Sequence, residues 1–157
     1  MKWFGVVGTL LLAICSVAVH PFGSVKQPDS GARIATNDLM VSAAVKSVLE
    51  RSCADCHSNH TIWPWYSRVA PVSWLVERDV RRGRDRLNLS NWSRYSVEER
   101  RKILADIASA VENRQMPLPQ YALIHPQARL SAAERDAVYQ WAGMERRRLR
   151  SLANTPK

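Results

Sequence analysis

The chain has 157 residues, which leaves room for one domain. It carries 23 Lys and Arg residues against 14 Asp and Glu residues, a formal net charge of +9. Such a surface can steer an acidic partner or lie against anionic lipid. A nucleic-acid partner is disfavoured, because the arginines are scattered along several predicted helices and the N-terminus carries an export segment.

That export segment occupies residues 1–20 and is typical of a signal peptide or a membrane anchor. An apolar run extends from Trp3 to Val19 behind Lys2. The run is near the lower length limit for a membrane span, and Ser16 and Ala18 are small residues at the two key positions of a cleavage site. Either alternative places the rest of the chain on the far side of a bacterial membrane. We therefore expect a periplasmic protein, tethered to the inner membrane or released after cleavage.

The rest of the chain divides into a linker at residues 21–36, a domain at residues 37–150 and a tail at residues 151–157. Apolar residues recur at helical spacing through the domain, and no alternating strand pattern is present. The four predicted helices begin near Asn37, at Pro71, and after the capping boxes Ser96–Glu99 and Ser131–Glu134. The fold class predicted is all-α. The predicted inward faces include Val72, Leu75, Val76 and Val80 in the second helix and Val138, Trp141 and Met144 in the last.

The first helix runs directly into a motif with strong chemical meaning, Cys53-Ala54-Asp55-Cys56-His57. C-x-x-C-H is the attachment site of a c-type haem. Each thiol adds to one vinyl group of the porphyrin, and the histidine that follows supplies one axial ligand of the iron. The sequence therefore predicts one covalent haem c, held by Cys53, Cys56 and His57.

Two other chemistries share the C-x-x-C spacing. A zinc site needs two further ligands at a workable separation, but His57 and His60 are crowded against the cysteines and His125 is far away in the chain. A thioredoxin-like dithiol requires a βαβ context, which the pattern does not provide. Both alternatives are disfavoured and stay open.

The second axial ligand of the iron has two candidates, Met116 and His125. Met116 is followed by Pro117 in a stiff segment after the third helix, far enough along the chain to close over the distal side of a haem. A methionine ligand gives a relatively high reduction potential. His125 is the alternative, whereas Met40 and Met144 lie in helical patterns typical of core residues.

The domain also holds five tryptophans, which could cover the wide apolar face of a porphyrin or fill an ordinary core. They are Trp63, Trp65, Trp74, Trp92 and Trp141. Arg84 and the indole N–H groups are candidate partners for the haem propionates.

Several stretches of the domain combine into a distinctive pattern. They are Cys53 to Trp74 with its W-P-W-Y-S block, Gly83-Arg84, Leu87-Asn88, Trp92, Met116 to Tyr121 and His125-Pro126. Over roughly residues 40 to 145 the chain resembles the bacterial haem-binding domain family, small cytochrome-c-like proteins that commonly have an N-terminal membrane segment. The resemblance implies a cytochrome-c-like helical fold with haem bound through Cys53, Cys56 and His57. Met116 matches the family's Met-Pro position, and His60 departs from the acidic or amide residue usual at its position.

The function predicted from these features is that of a monohaem c-type cytochrome, which carries single electrons on the periplasmic side of the membrane. The alternative is a haem-based sensor or ligand-binding module with a labile or absent sixth ligand. We expect no enzyme activity of the protein's own, although an open iron would leave peroxidase activity as a side reaction. The expected partner is a redox protein, one with an acidic surface if the positive charge steers it.

Overall fold

The computed structural model describes residues 6, 8, 32–36 and 39–154. Residues 32–36 and 39–154 contain six α-helices and three short 3-10 helices, and none of the described residues is in a β-strand, which confirms the all-α prediction. The α-helices are α1 Ala43–Ser52, α2 Ala54–His57, α3 Val72–Arg86, α4 Val97–Glu112, α5 Pro119–Ile124 and α6 Ala132–Asn154. The 3-10 helices are Trp65–Arg68, Leu89–Arg94 and Pro126–Ala128.

Four of the six α-helices are long, and they correspond to the four predicted ones. The first begins at Ala43, so the prediction of a start near Asn37 was wrong. The reason is local: the hydroxyl of Ser42 accepts a hydrogen bond from the backbone N–H of Val45, which caps the helix at that residue. Both predicted capping boxes are present, at Ser96–Glu99 and at Ser131–Glu134.

Two predicted apolar faces are only partly buried. In α3 the buried residues are Ser73, Glu77, Val80 and Gly83. Val72 is 41% exposed and Leu75 37%, so the prediction that they pack inward was wrong for both. Met144 in α6 was also predicted to face inward and is 56% exposed.

The main core lies between α4 and α6, with α1 packed against α6. Its largest member is Trp92, which is fully buried, and its other indole is Trp141, whose N–H donates to the Met40 carbonyl at 2.8 Å. The remaining buried apolar residues include Val45, Val48, Leu49, Leu89, Ile103, Leu104, Val111, Val138, Ala142 and Leu149. Cys53 packs against the edge of this core, so the motif helix α2 lies at its border.

Part of the predicted linker packs on the domain. Ile34 is 3% exposed, the Ala35 N–H donates to the Leu89 carbonyl at 2.9 Å, and the Ser90 hydroxyl donates to the Arg33 carbonyl at 3.0 Å. At the other end, α6 continues to Asn154, past the predicted boundary at 150.

The predicted N-terminal apolar helix lies outside the described residues, except for Val6 and Gly8, which are helical. Among the described residues, none of the helices has the length and apolar character needed to cross a membrane.

An ion pair joins the C-terminal end of α1 to the N-terminal end of α6. The Arg51 guanidinium donates to a Glu134 carboxylate oxygen at 2.7 Å, and the other oxygen of Glu134 accepts the Ser131 backbone N–H at 2.8 Å. These bonds, led by the one from the Ser131 backbone, lower the pKa of Glu134 to about 2. Because the pKa is lower in the folded chain, Glu134 stabilises the fold at neutral pH, and this contribution is lost as the pH falls from about 4.5 to about 2.

Glu134→Gln should therefore lower the free energy of unfolding by about 1 kcal/mol at neutral pH, with a smaller difference at about pH 3. Urea unfolding of the variant and the parent protein at both pH values measures this. Glu50→Gln is the control, since among the described residues the carboxylate of Glu50 pairs only with Lys46, at a long 3.8 Å. If Glu134→Gln lowers the free energy of unfolding equally at both pH values, the stabilising role of the ionised Glu134 carboxylate is contradicted.

Candidate functional site

The four residues that the sequence proposed for the site lie around one cavity. Its volume is about 280 Å³, and its lining includes Cys53, Cys56, His57 and Met116. Cys53 lies between α1 and α2, Cys56 and His57 lie in α2, and the His57 N–H donates to the Cys53 carbonyl at 3.0 Å. Cys53 and Cys56 are both free thiols. The structure thus brings together three residues that are adjacent in sequence and one that is far away.

The His57 ring is oriented by the C-terminal end of α3. Its Nδ1 lies 2.9 Å from the Gly83 carbonyl and 3.1 Å from the Leu87 carbonyl. A carbonyl can only accept, so Nδ1 carries the proton and Nε2 keeps its lone pair. Burial lowers the pKa of His57, and the charge of Arg86 acts in the same direction. His57 is therefore neutral at neutral pH, with Nε2 available as a metal ligand and Nδ1 fixed by the protein.

Sequence reasoning missed these two carbonyls, although one signal was available. The end of a helix leaves carbonyls without helical partners, and Leu87 lies just past the last residue of α3. The Gly83 carbonyl accepts the Leu87 N–H at 2.9 Å as well as the His57 ring N–H. The sequence does not predict that this end of α3 lies against the motif.

Gly83 permits this approach because it has no side chain. A Cβ at this position would lie 2.6 Å from the Cys56 carbonyl oxygen and 3.1 Å from the Cys56 Cβ. Atoms of a folded chain do not approach so closely, so any other residue would push α3 and the motif apart. The sequence indicated only that Gly83 weakens a helix; the structure shows that it sets the distance between α3 and α2.

The two thiols lie in a partly buried environment that disfavours their ionised form. Burial raises the pKa of Cys53 to about 12 and that of Cys56 to about 12, and the charge of Asp55 adds to the effect at Cys56. A catalytic dithiol instead has a lowered pKa, so the surroundings do not favour that alternative. A zinc site would need four ligands, and within the described residues no three His, Cys, Asp or Glu side chains are grouped to hold a metal ion.

The two candidates for the sixth ligand occupy different positions. Met116 lines the same cavity as His57, and its backbone N–H donates to the Ala110 carbonyl at 3.1 Å. His125 lines a neighbouring cavity of about 100 Å³, and both of its ring nitrogens have protein partners. Its Nε2 is hydrogen-bonded to the Tyr66 hydroxyl and its Nδ1 to the Gln127 amide. The arrangement favours Met116.

The neighbouring cavity has a mainly apolar wall. Cys56 borders it as well as the first cavity, and the apolar side chains around it include Ile62, Val72, Leu75, Val76, Leu118 and Ile124. Ile62 and Ile124 are 68% and 54% exposed. Exposed apolar surface of this kind, next to a few polar groups, is typical of a site that a flat apolar ligand covers.

The structure shows the contacts of Arg84 and favours the core alternative for two of the tryptophans. The Arg84 guanidinium donates to the Ser58 carbonyl at 2.8 Å and to the Thr61 hydroxyl at 3.0 Å, so it holds the loop that follows the motif. Among the described residues no tryptophan lines either cavity. Trp92 and Trp141 belong to the main core instead, and Trp65 is 79% exposed.

Comparison with known proteins agrees with this geometry. The model of one family, described as the haem-binding domain, matches residues 12–144. The chain belongs to the haem-binding domain family. This confirms the resemblance noted from the sequence and makes haem the cofactor that the domain binds. No curated protein and no solved structure matches the chain.

Gly83→Ala tests whether the close packing of α3 on the motif holds the site together. We expect the methyl group to destabilise the fold by about 1–3 kcal/mol and to lower the yield of haem-loaded protein, because His57 loses its alignment. Urea unfolding and the haem absorbance per protein measure the two effects. Gly143→Ala is the matched control, since its Cβ would meet nothing closer than 3.6 Å. Equal behaviour of the two variants would contradict the role given to Gly83.

Proposed function

We propose that this protein is a monohaem c-type cytochrome that carries single electrons. Cys53 and Cys56 would hold the haem through thioether bonds, and His57 Nε2 and the Met116 sulfur would be the axial ligands. The observation that carries the proposal is the shared cavity: the two thiols, a histidine with its Nδ1 committed to backbone carbonyls, and a methionine from a distant segment all line it.

The residues present fit a covalent haem. The cavity beside His57 is near the lower end of the range of roughly 300–1,000 Å³ that is typical of ligand sites, and the apolar cavity that shares Cys56 adjoins it. Cys53 and Cys56 are free for covalent attachment. The exposed Val72 and Leu75 are the type of side chain that a porphyrin face would cover.

Bound haem supplies a one-electron couple between ferric and ferrous iron. The residues of the chain adapt that couple to electron transfer. The Gly83 and Leu87 carbonyls hold the His57 ring in one orientation and strengthen it as a donor. A thioether ligand from Met116 would favour the ferrous state and raise the reduction potential. With both axial positions filled by the protein, we propose no enzyme activity.

A second candidate function has a specific observation behind it. The chain from Met116 to Ile124 contains no buried residue, so little apolar packing holds Met116 in place. If the methionine dissociates readily, the protein would be a haem-based sensor or ligand-binding module, and peroxide could also reach the iron. Carbon monoxide binding to the reduced protein at neutral pH distinguishes this function from electron transfer.

The proposed location and partner follow from the sequence and the charge. We place the protein in the periplasm, tethered to the inner membrane by the N-terminal segment or released by its cleavage. The lining of the cavity beside the motif has three arginines one turn apart along α3, Arg78, Arg82 and Arg86, against two aspartates, Asp55 and Asp79. Arg78 is paired with Asp79 at 3.0 Å, so the basic character of the rim comes from Arg82 and Arg86. Arg82 and Arg86 are exposed. This rim suits a redox partner with an acidic surface.

Met116→Ala tests the ligand assignment. The oxidised variant should lose the weak near-infrared band of methionine-bound iron, and the reduced variant should bind carbon monoxide, because the sixth position is open. Met144→Ala is the matched control, since Met144 is exposed on α6 and lines neither of the two cavities. An unchanged spectrum in Met116→Ala would remove Met116 as the ligand, and the same substitution at His125 would then be tested.

Arg82→Glu tests the basic rim with defined redox reagents in place of the partner. At low ionic strength the variant should transfer electrons to ferricyanide, an anion, about tenfold more slowly, and to a cationic cobalt complex faster. Both effects should shrink as added salt screens the charges. Arg146→Glu is the control: it makes the same charge change on an exposed residue of α6. Equal slowing in both variants would mean that net charge, and not the rim, steers the anion.

A further inference from the structure

The segment that carries Met116 has few apolar anchors. We name residues 116–124, which comprise the chain after α4 and helix α5, the distal segment. None of its residues is buried. Since burial of apolar surface contributes little here, the hydrogen bonds that the distal segment makes decide where it lies.

One end of the distal segment is fixed to α4. The backbone N–H groups of Gln115 and Met116 both donate to the Ala110 carbonyl, at 2.8 and 3.1 Å. At the other end, Arg129 donates to the Ala122 carbonyl at 2.9 Å, but this contact comes from the chain that follows and does not cross the cavity. These bonds do not hold the distal segment against the motif.

Among the described residues, two hydrogen bonds cross the cavity from the distal segment, and the shorter one joins Tyr121 to Asp55. His125, the residue after the segment, is bonded to the Tyr66 hydroxyl across the neighbouring cavity and does not reach the motif. The Tyr121 hydroxyl donates to the Asp55 carboxylate at 2.7 Å. A second crossing bond, from the Gln120 amide to Asp79, is 3.4 Å long and correspondingly weaker. Both acceptors are carboxylates, so the much shorter bond from Tyr121 is the stronger of the two.

Asp55 is well placed to act as a fixed anchor. It lies between the two motif cysteines in α2, so any group attached to these cysteines has a set position relative to its carboxylate. The oxygen that does not accept from Tyr121 accepts from the Arg33 guanidinium, and from the Ile62 N–H at 3.2 Å. With both oxygens occupied, the carboxylate cannot rotate away without breaking several bonds.

We propose that Asp55 and Tyr121 are positioning residues, and that their hydrogen bond holds the distal segment closed over the site and thereby keeps Met116 on the iron. The inference rests on the proposed function, because it assumes that Met116 is the sixth ligand. Its consequence is that Asp55, a residue inside the attachment motif, would control how firmly Met116 binds the iron.

Tyr121→Phe removes the hydroxyl and leaves the ring that stacks on His125. We expect a weaker near-infrared band of methionine-bound iron, and a rate of carbon monoxide binding to the reduced protein that rises about tenfold. Tyr139→Phe is the matched control, since Tyr139 lies on α6 and lines neither cavity. The double variant Asp55→Asn/Tyr121→Phe should bind carbon monoxide no faster than the faster of the two single variants, because both changes break the same bond.

A second readout needs no haem. The distal segment forms part of the cavity wall beside the two thiols. In the reduced, haem-free protein, Cys53 and Cys56 should therefore react with iodoacetamide about tenfold faster in Tyr121→Phe than in the parent. The reaction is run at a urea concentration far below the unfolding midpoint of each variant, so that global unfolding does not contribute.

The two readouts separate failure of this inference from failure of the proposed function. If the parent protein binds no covalent haem, the proposed function fails, and faster alkylation of Tyr121→Phe would still support the closing role of the bond. If the parent has a methionine-bound haem but Tyr121→Phe matches Tyr139→Phe in both readouts, the positioning role is overturned and the proposed function stands.

Discussion

The close approach of α3 to the attachment motif is the contact on which the site depends. Gly83 lets the helix lie against the backbone of Cys56, and the carbonyl of the same glycine accepts the Nδ1 proton of His57. One residue therefore sets both the distance between the two elements and the orientation of the imidazole. If α3 moved outward by the width of a methyl group, the ring would lose an acceptor and the thiols would shift with the motif.

The domain separates the parts that stabilise it from the parts that form the site. The apolar core between α4 and α6 contains both fully or nearly buried indoles, Trp92 and Trp141. The site lies at the edge of that core and is built largely from polar contacts: the α3 carbonyls on His57, Arg84 on the loop after the motif, and Asp55 on the distal segment. The domain thus combines a buried apolar core with a distal segment that contains no buried residue.

How much the sequence predicts depends on how local each feature is. Cys53, Cys56 and His57 are adjacent, so their chemistry is readable without a fold. Met116 could be proposed because a proline follows it in a segment far from the motif. The partners of His57 and the bond from Tyr121 to Asp55 span 26 to 66 residues of sequence. Spacing along the chain carries no information on such contacts.

The two wrong expectations about α3 have the same physical origin. Val72 and Leu75 follow a helical apolar pattern, but they border a cavity instead of the protein core. A hydrophobic pattern indicates which face of a helix is shielded from water. It does not distinguish a face covered by protein from one that a cofactor would cover. For two tryptophans the protein itself supplies the cover: Trp92 and Trp141 are buried in the core and line neither cavity.

The account's central claim is that Cys53 and Cys56 carry one covalent haem with His57 and Met116 as axial ligands. The most direct test is to express the full chain together with a haem-attachment system, and to record the intact mass and the visible spectra of the oxidised and reduced protein. The account predicts a mass increase of one haem that survives denaturation, a sharp low-spin spectrum on reduction and the near-infrared band of methionine ligation on oxidation. Haem that is released on denaturation, or a high-spin spectrum, would contradict it.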